Sequence, residues 1–435
     1  MRRVARSVAL VMATGALLLL LPLPAALASP GTWYVDNGNP NCSDSGPGTS
    51  SQPFCTIGAG ALKVTAGQTV QVSSGNYPEE VKVKTSGSAG APVTFSAVGT
   101  VTVGSGKTHG FTISSRSWVV VNGFTVSDTT GDGIYVTGSH HITVSANHVS
   151  YSGQPADGLT ARGIRLSGSN DSTISGNNAD HNSEAGIYVT SSSTRNLIVG
   201  NVTAYNARGY IRAAAGIDVR SPGNTVANNV SHHNEDTGIQ FYTGAADELV
   251  VNNVCYDNGD HGIDNLNVSS QRIVGNTVYR NVTAGINLEG SSGGGTVVNN
   301  ISVDNGIGSP RTKSNIRVDS NSIPGATVDS NLVYLTQPSP MYTWGTTSYT
   351  SLSAFQAATG QEPHGLQAAP SWRSAGSGDF HLNAGSPAID SADSGVSGQS
   401  PTDADGNGRV DDPATPNTGL GPRHYDDRGA YEFQP

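Results

Sequence analysis

The chain carries little charge, few cysteines and, after its first 28 residues, no long apolar run. Charged residues make up 13% of its 435 residues, and the formal net charge is −10. Such an acidic chain lacks the basic surface that binds nucleic acid, and it repels polyanions unless a cation or a local basic patch mediates. Because no segment beyond residue 28 approaches the roughly 18 apolar residues that cross a bilayer, we expect no membrane span.

The first 28 residues predict a secretory signal peptide. Three arginines precede the apolar stretch 8–21, and small residues at 26–28 offer a cleavage site. An uncleaved anchor is the alternative, but Pro22 and Pro24 interrupt the apolar stretch. We therefore expect a secreted, extracellular protein, and a monomer by default.

The three cysteines lie in different settings. Cys42 and Cys55 are 13 residues apart in a Gly/Ser/Pro-rich stretch, whereas Cys255 lies in an apolar run. In an oxidising compartment we expect the first two to form a disulfide and the third to be a buried thiol.

Glycine, in contrast, is abundant, and much of it is periodic. A small residue followed by an apolar one recurs at spacings of 22 to 24 or 30 residues, with the small residue at Gly110, Gly133, Gly163, Gly186, Gly216, Gly238, Gly262, Gly285 and Asn315. Repetition at this period is typical of a solenoid whose structural unit sometimes carries an inserted loop.

An asparagine recurs in a second register, after short β-branched runs. We expect it to adopt the left-handed conformation, to turn the strand, and to stack from coil to coil as an asparagine ladder. The predicted members are Asn147, Asn177, Asn201, Asn228, Asn252, Asn276, Asn299 and Asn331.

Each repeat holds three short apolar runs, which are too short for helices and rich in β-branched residues. Three strands per coil predict an all-β right-handed parallel β-helix of about nine or ten coils. A propeller blade needs 40 to 45 residues and a leucine-rich horseshoe needs a leucine lattice, so neither alternative fits.

The regions flanking the repeats differ from them in composition. Residues 29–100 contain a short helix-like run at 56–63 and predict an N-terminal cap with the first coils, which protects the open edge of the solenoid. Residues 101–336 are the repeats. Residues 337–435 are rich in Ser, Thr, Ala and Pro, and we expect them to cap the other end.

In a strand that reads Gly-Ile-x-Val, the residue between the two apolar positions points outward. Stacked coils then align these residues in one row, which we call the ladder. It mixes aromatic, cationic and carboxylate groups, as a saccharide groove would, and we interpret it as a substrate-binding face. Its members are Tyr135, Arg165, Tyr188, Asp218, Gln240, Asp264, Asn287 and Arg317.

The densest acidic spot lies beside the ladder. Asp236 and Asp260 are one coil apart, so their side chains should lie about 4.8 Å apart. Carboxylates this close repel each other unless one is protonated or a cation lies between them. We therefore predict a calcium site formed by Asp236, Asp260 and Asp264, with a solvated turn as the alternative.

The N-terminal cap, the Asn-rich coils and the run Asp260-His261-Gly262-Ile263-Asp264 resemble the secreted β-helix proteins related to family 9 polysaccharide lyases. This resemblance implies calcium ligands at Asp236, Asp260 and Asp264, although His261 replaces one aspartate ligand of that family and Ile263 an aromatic residue. It also implies a catalytic lysine, but Asn287 stands at that position and no lysine occurs between Lys107 and Lys313.

The resemblance implies calcium-assisted β-elimination of an acidic polysaccharide. With the lysine missing, the candidate bases are Arg317, Arg280, Arg165 and His261. A non-catalytic carbohydrate-binding or cell-surface rod is the alternative.

Two other reactions are compatible with the ladder. Asp218 and Asp264, two coils apart, would suit an inverting glycoside hydrolase. Tyr188, Arg165 and His181 would suit a uronate epimerase.

The segment 403–412 opens as Asp-x-Asp-x-Asn-Gly, like an EF-hand calcium loop. Ala414 stands where the bidentate glutamate of such a loop belongs. The run from Gly385 to Glu432 is similar to the closing segment of bacterial secreted β-helix proteins, so we expect a structural role for this loop.

Overall fold

The computed structural model describes residues 31–153, 158–207 and 215–435. Their strands form a parallel β-solenoid, which confirms the predicted fold class. The predicted signal peptide lies outside the described residues. Among the described helices, none is long and apolar enough to cross a membrane.

The first sheet is built from the Gly-Ile strands, one per turn. Its parallel strands are Val81–Lys82, Phe111–Ser114, Ile134–Thr137, Ile164–Ser167, Ile187–Thr190, Ile217–Val219, Ile239–Phe241, Ile263–Leu266, Ile286–Glu289, Ile316–Val318 and Tyr342–Trp344, and Thr347–Tyr349 joins antiparallel at the end. The solenoid therefore has about eleven turns rather than nine or ten. The count was low because the first and last of these strands lack the small–apolar signature.

The second sheet contributes two strands to most turns. The first row contains Val93–Val103, Ser117–Asn122, His140–Ser145, Thr173–Ser175, Leu197–Val199, Thr225–Ala227, Leu249–Val251, Arg272–Val274, Thr296–Val298 and Thr327–Asp329. The second row contains Thr125–Ser127, His148–Ser150, Asn178–Asp180, Val202–Ala204, Val230–His232, Val254–Tyr256, Thr277–Tyr279, Ile301–Val303, Leu332–Tyr334 and Leu366–Gln367. Thr32–Val35 and Thr69–Tyr77 begin the sheet, so coils start within the N-terminal region.

The core fills the bore of the solenoid with β-branched side chains. Ile239 and Phe241 are fully buried there, as are the equivalent residues of neighbouring turns. The preceding glycine is required by close stacking, because a Cβ on Gly238 would lie 2.7 Å from the carbonyl oxygen of Gly262 in the next turn. The glycine recurs in the glycine–apolar repeat because neighbouring turns approach too closely for a side chain at that position.

The asparagine ladder exists, but three of its predicted members are wrong by one residue. Asn228, Asn252 and Asn299 adopt positive φ, and the side-chain amides of Asn252 and Asn299 donate to the carbonyls of Thr402 and Asp393 instead of to the ladder. The buried ladder asparagine is the next residue in each case, and the ladder runs through Asn147, Asn177, Asn201, Asn229, Asn253, Asn276, Asn300 and Asn331. The left-handed residue turns the chain, and the asparagine after it bonds the next turn.

A second asparagine ladder lies five residues farther along the chain. It links Asn182, Asn206, Asn234, Asn258, Asn281, Asn305 and Asn315. Each side-chain amide donates to the carbonyl oxygen of the next asparagine, so buried polar groups are paired from turn to turn.

Both ends of the bore are covered by short helices. The N-terminal helix, Ile57–Lys63, begins at Thr56, whose hydroxyl accepts from the amide of Ala59. The helix Leu352–Thr359 covers the other end, where Phe355 stacks on Tyr342 at 4.2 Å. The predicted disulfide between Cys42 and Cys55 is confirmed, and Cys255 is a buried free thiol.

The segment 379–433 does not lie over the end of the solenoid. It begins with strand Asp379–Leu382, paired antiparallel with Trp372–Ser374, and packs along the outside of the second sheet. Its contacts include a hydrogen bond from the amide of Gly429 to the carbonyl of Asn299. We call this segment the strap, since it covers the side of the last turns.

Candidate active site on the ladder face

The structure places the predicted ladder residues in one row on the outer face of the first sheet. Every neighbouring pair is aligned in the strand register, from Tyr135 at one end to Arg317 at the other. Each step is one strand spacing, about 4.8 Å. The alignment that the repeat predicted is therefore present over the whole row.

The middle of the ladder is buried even though it points away from the core. Relative exposure is 8% for Tyr188, 2% for Asp218, Gln240 and Asp264, and 0% for Asn287. Tyr135, Arg165 and Arg317 are partly exposed. The row thus has a covered centre with accessible ends, which strengthens electrostatic interactions at the centre.

Insertions border this face along one side. The described extra residues of the 30-residue spacings, 158–162 and 304–314, lie at the same corner, just before a strand of the first sheet. Arg162 and Arg311 come from two of these insertions and reach carboxylates beside the ladder. The insertions therefore supply charged groups that the regular coils lack.

At the N-terminal third of the ladder, cations alternate with aromatic rings. The Arg165 guanidinium lies 5.2 Å from the Tyr135 ring centroid and 3.3 Å from Asp132. The Arg162 guanidinium lies 4.8 Å from the Tyr188 centroid and forms a 2.6 Å ion pair with Glu184. Such a surface offers both stacking and hydrogen bonding to a saccharide.

The centre of the ladder holds an ion pair between a buried carboxylate and a partly exposed guanidinium. Arg220 donates to both carboxylate oxygens of Asp218, at 2.9 to 3.1 Å, and its guanidinium lies 5.2 Å from the Tyr242 ring centroid. Burial raises the pKa of Asp218, while Arg220 counteracts part of that shift. Asp218 thus remains a shielded carboxyl held in one orientation.

One coil beyond, the predicted acidic cluster forms. The amide of Asp260 donates to the carbonyl of Asp236 at 3.0 Å, so the two residues are stacked as expected. His261 lies between Asp260 and Asp264, with Nδ1 at 3.4 and 3.9 Å from their carboxylates, and its Nε2 is 2.9 Å from Thr312 Oγ1. These residues are almost fully buried.

Within the cluster, the pKa values of the three titratable side chains Asp260, His261 and Asp264 are shifted in different directions. Burial alone would raise the pKa of Asp260, yet His261, Thr283 and Arg311 hold it well below its usual range. Burial raises the pKa of Asp264 to about 6, against the pull of His261. Burial alone would lower the pKa of His261, but Asp264 and Asp260 raise it. Groups whose pKa values are pushed apart in this way are typical of proton-transfer sites.

Arg317 closes the C-terminal end of the row. Its Nη1 lies 2.7 Å from Asn287 Oδ1 and 2.8 Å from Glu289 Oε2. The amide of Asn287 in turn donates to Asp264 at 2.7 Å. A hydrogen-bonded chain therefore joins the partly exposed Arg317 to the buried acidic cluster.

The donor set does not fit calcium in this arrangement. Calcium takes six to eight oxygen ligands, which would have to converge on one point. Here the Arg311 guanidinium and the His261 imidazole lie against Asp260, so positive side chains offset the repulsion of the carboxylates. Across the described ranges, no three His, Cys, Asp or Glu side chains are grouped to hold a metal ion. Calcium at Asp236, Asp260 and Asp264 stays a prediction.

The four candidate bases are not brought together. His261 and Arg317 lie near the acidic cluster, and Arg165 lies in the N-terminal third of the ladder. Arg280 lies off the ladder, after strand Thr277–Tyr279, where it pairs with Asp257 at 3.4 Å.

Six charged residues of this face were missed from the sequence: Asp132, Arg162, Glu184, Arg220, Glu289 and Arg311. Arg220 and Glu289 follow ladder residues by two positions, and this strand period could have placed them on the same face. Arg162 and Arg311 lie in insertions, where no repeat fixes a position.

The loop 403–412 is closed by its own hydrogen bonds. Asp403 accepts from the amides of Asp405 and Asn407, and Arg409 forms a buried 2.8 Å ion pair with Glu432. Asp405 bonds His381 at 2.7 Å. These contacts support the structural role expected for the loop.

The chain matches a family model described as the right handed beta helix region, over residues 80–246 and 210–333. A relative from Bacillus subtilis (strain 168), the uncharacterized protein YwoF, is 27% identical, and the match covers 80% of this chain and 91% of YwoF.

Solved structures share the fold at low identity. Pectate lyase Pel9A is similar with a TM-score of 0.60 and 16% identity, covering 94% of this chain and 97% of Pel9A. A rhamnogalacturonan lyase is similar with a TM-score of 0.53 and 16% identity, covering 79% of this chain and 91% of that lyase. At these identities the similarity shows the fold alone.

Proposed function

Since this chain belongs to the family of proteins with a right-handed β-helix region, we propose that it is a secreted, carbohydrate-active enzyme that cleaves an acidic polysaccharide on the ladder face by β-elimination. The ladder carries this proposal. It aligns aromatic and cationic groups along one face. A buried cluster of carboxylates and a histidine lies beside its central part. Two proteins with the same fold, a pectate lyase and a rhamnogalacturonan lyase, support it.

β-Elimination makes two demands on the side chains. A positive group must offset the carboxylate of the uronate, and a base must remove the proton from the adjacent carbon. The electron pair left by that proton forms a carbon–carbon double bond as the glycosidic carbon–oxygen bond breaks, and the leaving oxygen takes up a proton.

The ladder face contains groups suited to both demands. Arg317 is partly exposed and held by Asn287 and Glu289, which supports a role in binding a substrate carboxylate. Asp264 is joined to Arg317 through the side chain of Asn287, and His261 Nδ1 lies 3.9 Å from the Asp264 carboxylate. Asp264 and His261 are the proposed proton-transfer pair. We assign no step to calcium.

The test is a screen of the mature protein against pectate, alginate and glycosaminoglycans, with and without a chelator. Elimination yields unsaturated ends that absorb in the near ultraviolet. Asp264→Asn should lower turnover by about 100-fold or more, as removal of an acid–base group does. Asp171→Asn is the matched control, because Asp171 pairs with exposed Arg195 away from the ladder. Equal activity of both variants would remove Asp264 from the reaction.

One observation favours a second reaction. Asp218 and Asp264 are both buried carboxyls, two ladder steps apart, which is roughly 9.6 Å. This separation is close to that of the two carboxyls in an inverting glycoside hydrolase. New reducing ends without near-ultraviolet absorbance would identify hydrolysis, and retention of polymer without either product would identify a binding protein.

A further inference from the structure

The ladder extends beyond its predicted N-terminal end. Thr112 is aligned with Tyr135, and Lys82 is aligned with Thr112, so Lys82 lies on the same face two steps farther out. From Lys82 to Asp218 there are five steps, or about 24 Å.

Lys82 belongs to a group of basic residues, Lys63, Lys82, Lys84 and Arg116, which we call the basic end. A hollow of about 400 Å³ is lined by the three lysines, and an adjacent hollow of about 340 Å³ is lined by Lys82, Lys84 and Arg116. The lysines are exposed. The basic end is therefore a concave surface that is continuous with the ladder.

The acidic residues of these hollows are already engaged. Asp44 accepts from the amides of Cys55 and Thr56 at 2.8 and 2.9 Å. Glu80 pairs with Lys82 at 3.4 Å and accepts from the Thr112 hydroxyl. For Lys63 and Lys84, no carboxylate among the described residues lies within ion-pair distance. Two lysine charges are thus available to an external anion.

The lysines are distributed unevenly along the chain. Its five lysines are Lys63, Lys82, Lys84, Lys107 and Lys313, and the first four lie near the N-terminal end of the ladder. Because the chain as a whole has a net charge of −10, a polyanion is repelled by most of the surface and attracted here.

We propose that the basic end is a distal binding site for an anionic polysaccharide, which contacts it through carboxylate or sulfate groups while the same polymer chain runs along the ladder to the central carboxylates. This inference rests on the proposed function, because it assumes that the ladder holds the polymer. A short oligosaccharide at the centre does not reach the basic end, whereas a long chain does. The site therefore favours polymer over oligomer.

The test measures binding of the mature protein to pectate, to alginate and to trigalacturonate, with duplex DNA as a second polyanion. Lys84→Glu should weaken polymer binding about threefold, and Lys63→Glu with Lys84→Glu about tenfold, in line with the modest strength of exposed charge contacts. Lys84→Gln should have a smaller effect. Binding should weaken as salt is added, because exposed charges are screened.

The matched control is Arg373→Glu, which makes the same charge change at an exposed residue of the C-terminal region. The ratio of polymer to trigalacturonate affinity should fall in the lysine variants and not in the control. Equal affinity of wild type and lysine variants for polymer would overturn the inference, and so would an equal loss in Arg373→Glu. Tight binding of DNA would show a general polyanion site instead.

Asp264→Asn separates the two proposals. It should retain polymer binding while losing cleavage. If wild type binds polymer through the basic end but cleaves none, the proposed reaction fails and the binding site remains. If cleavage is seen and the lysine variants bind like wild type, only the binding site fails.

Discussion

The guanidinium of Arg311 forms an ion pair with Asp260, a residue 51 positions earlier in the chain. It brings a positive charge from an insertion into a cluster of buried carboxylates. In a low-dielectric site such a cluster requires a cation or a proton to offset repulsion. Arg311 therefore offsets part of the repulsion that led us to predict calcium here, and calcium at Asp236, Asp260 and Asp264 stays a prediction.

We expect calcium to stabilise the Arg311→Gln variant more than it stabilises wild type. Without the guanidinium, Asp260 loses its ion-pair partner in the cluster, and added calcium should then raise the melting temperature of the variant more than that of wild type. Thermal unfolding with calcium or with a chelator measures this directly. Arg195→Gln, at the exposed pair with Asp171, is the control. A wild type that is destabilised by the chelator would support the calcium prediction.

The sequence predicted what the repeat determines. The spacing of glycines was sufficient to align Tyr188 with Asp218, and Asp236 with Asp260, because identical turns stack in register. The same periodicity did not identify which asparagine of the pair Asn228-Asn229 is buried, since asparagine suits a turn at either position.

What the repeat does not determine could not be predicted. Arg162 and Arg311 come from insertions of irregular length, and the buried Asp218 interacts with Arg162 and Gln240 from other turns. The strap follows the side of the solenoid because its apolar residues, such as Phe380 and Ile389, match apolar positions outside the second sheet. No periodic signal marks that match.

The asparagine ladder offers a test of stability with a neighbouring control. Asn229→Gly removes a side chain that bonds Asn201, Asn253 and the carbonyl of Ile198. Each buried polar group left unpaired costs about 1 to 3 kcal/mol, so the free energy of unfolding should fall by about 3 kcal/mol or more. Asn228→Gly should change it by less than about 0.5 kcal/mol, because glycine accepts the positive φ at that position. Denaturant unfolding compares the two, and similar losses would contradict the shifted ladder.

Stability should also depend on the protonation of Glu248. Burial raises the pKa of this carboxyl from its ordinary value of 4.5 to about 8, although the amide of Asn224 bonds it at 2.6 Å. The folded state therefore holds a proton that the unfolded state releases, and the free energy of unfolding should fall as pH rises from about 4.5 to about 8. The slope from one such group is at most about 1.4 kcal/mol per pH unit.

Glu248→Gln should flatten this part of the pH profile, since glutamine keeps an acceptor for Asn224 without a charge. Urea unfolding of wild type and variant at several pH values between 5 and 8 gives the comparison. An unchanged slope in the variant would mean that Glu248 does not govern the pH dependence.

The strap should depend on the buried pair of Arg409 and Glu432, whose side chains are 1% and 0% exposed. Arg409→Met leaves the Glu432 carboxylate without its cation, and breaking such a pair costs about 3 to 5 kcal/mol. Because the strap contacts the coils only from outside, we expect it to detach before the solenoid unfolds. Limited proteolysis should then cut within residues 386–433 of the variant while the coils resist. Arg195→Met, at an exposed pair, should leave the digestion pattern as in wild type, and a variant that resists cleavage as wild type does would show that this ion pair does not hold the strap.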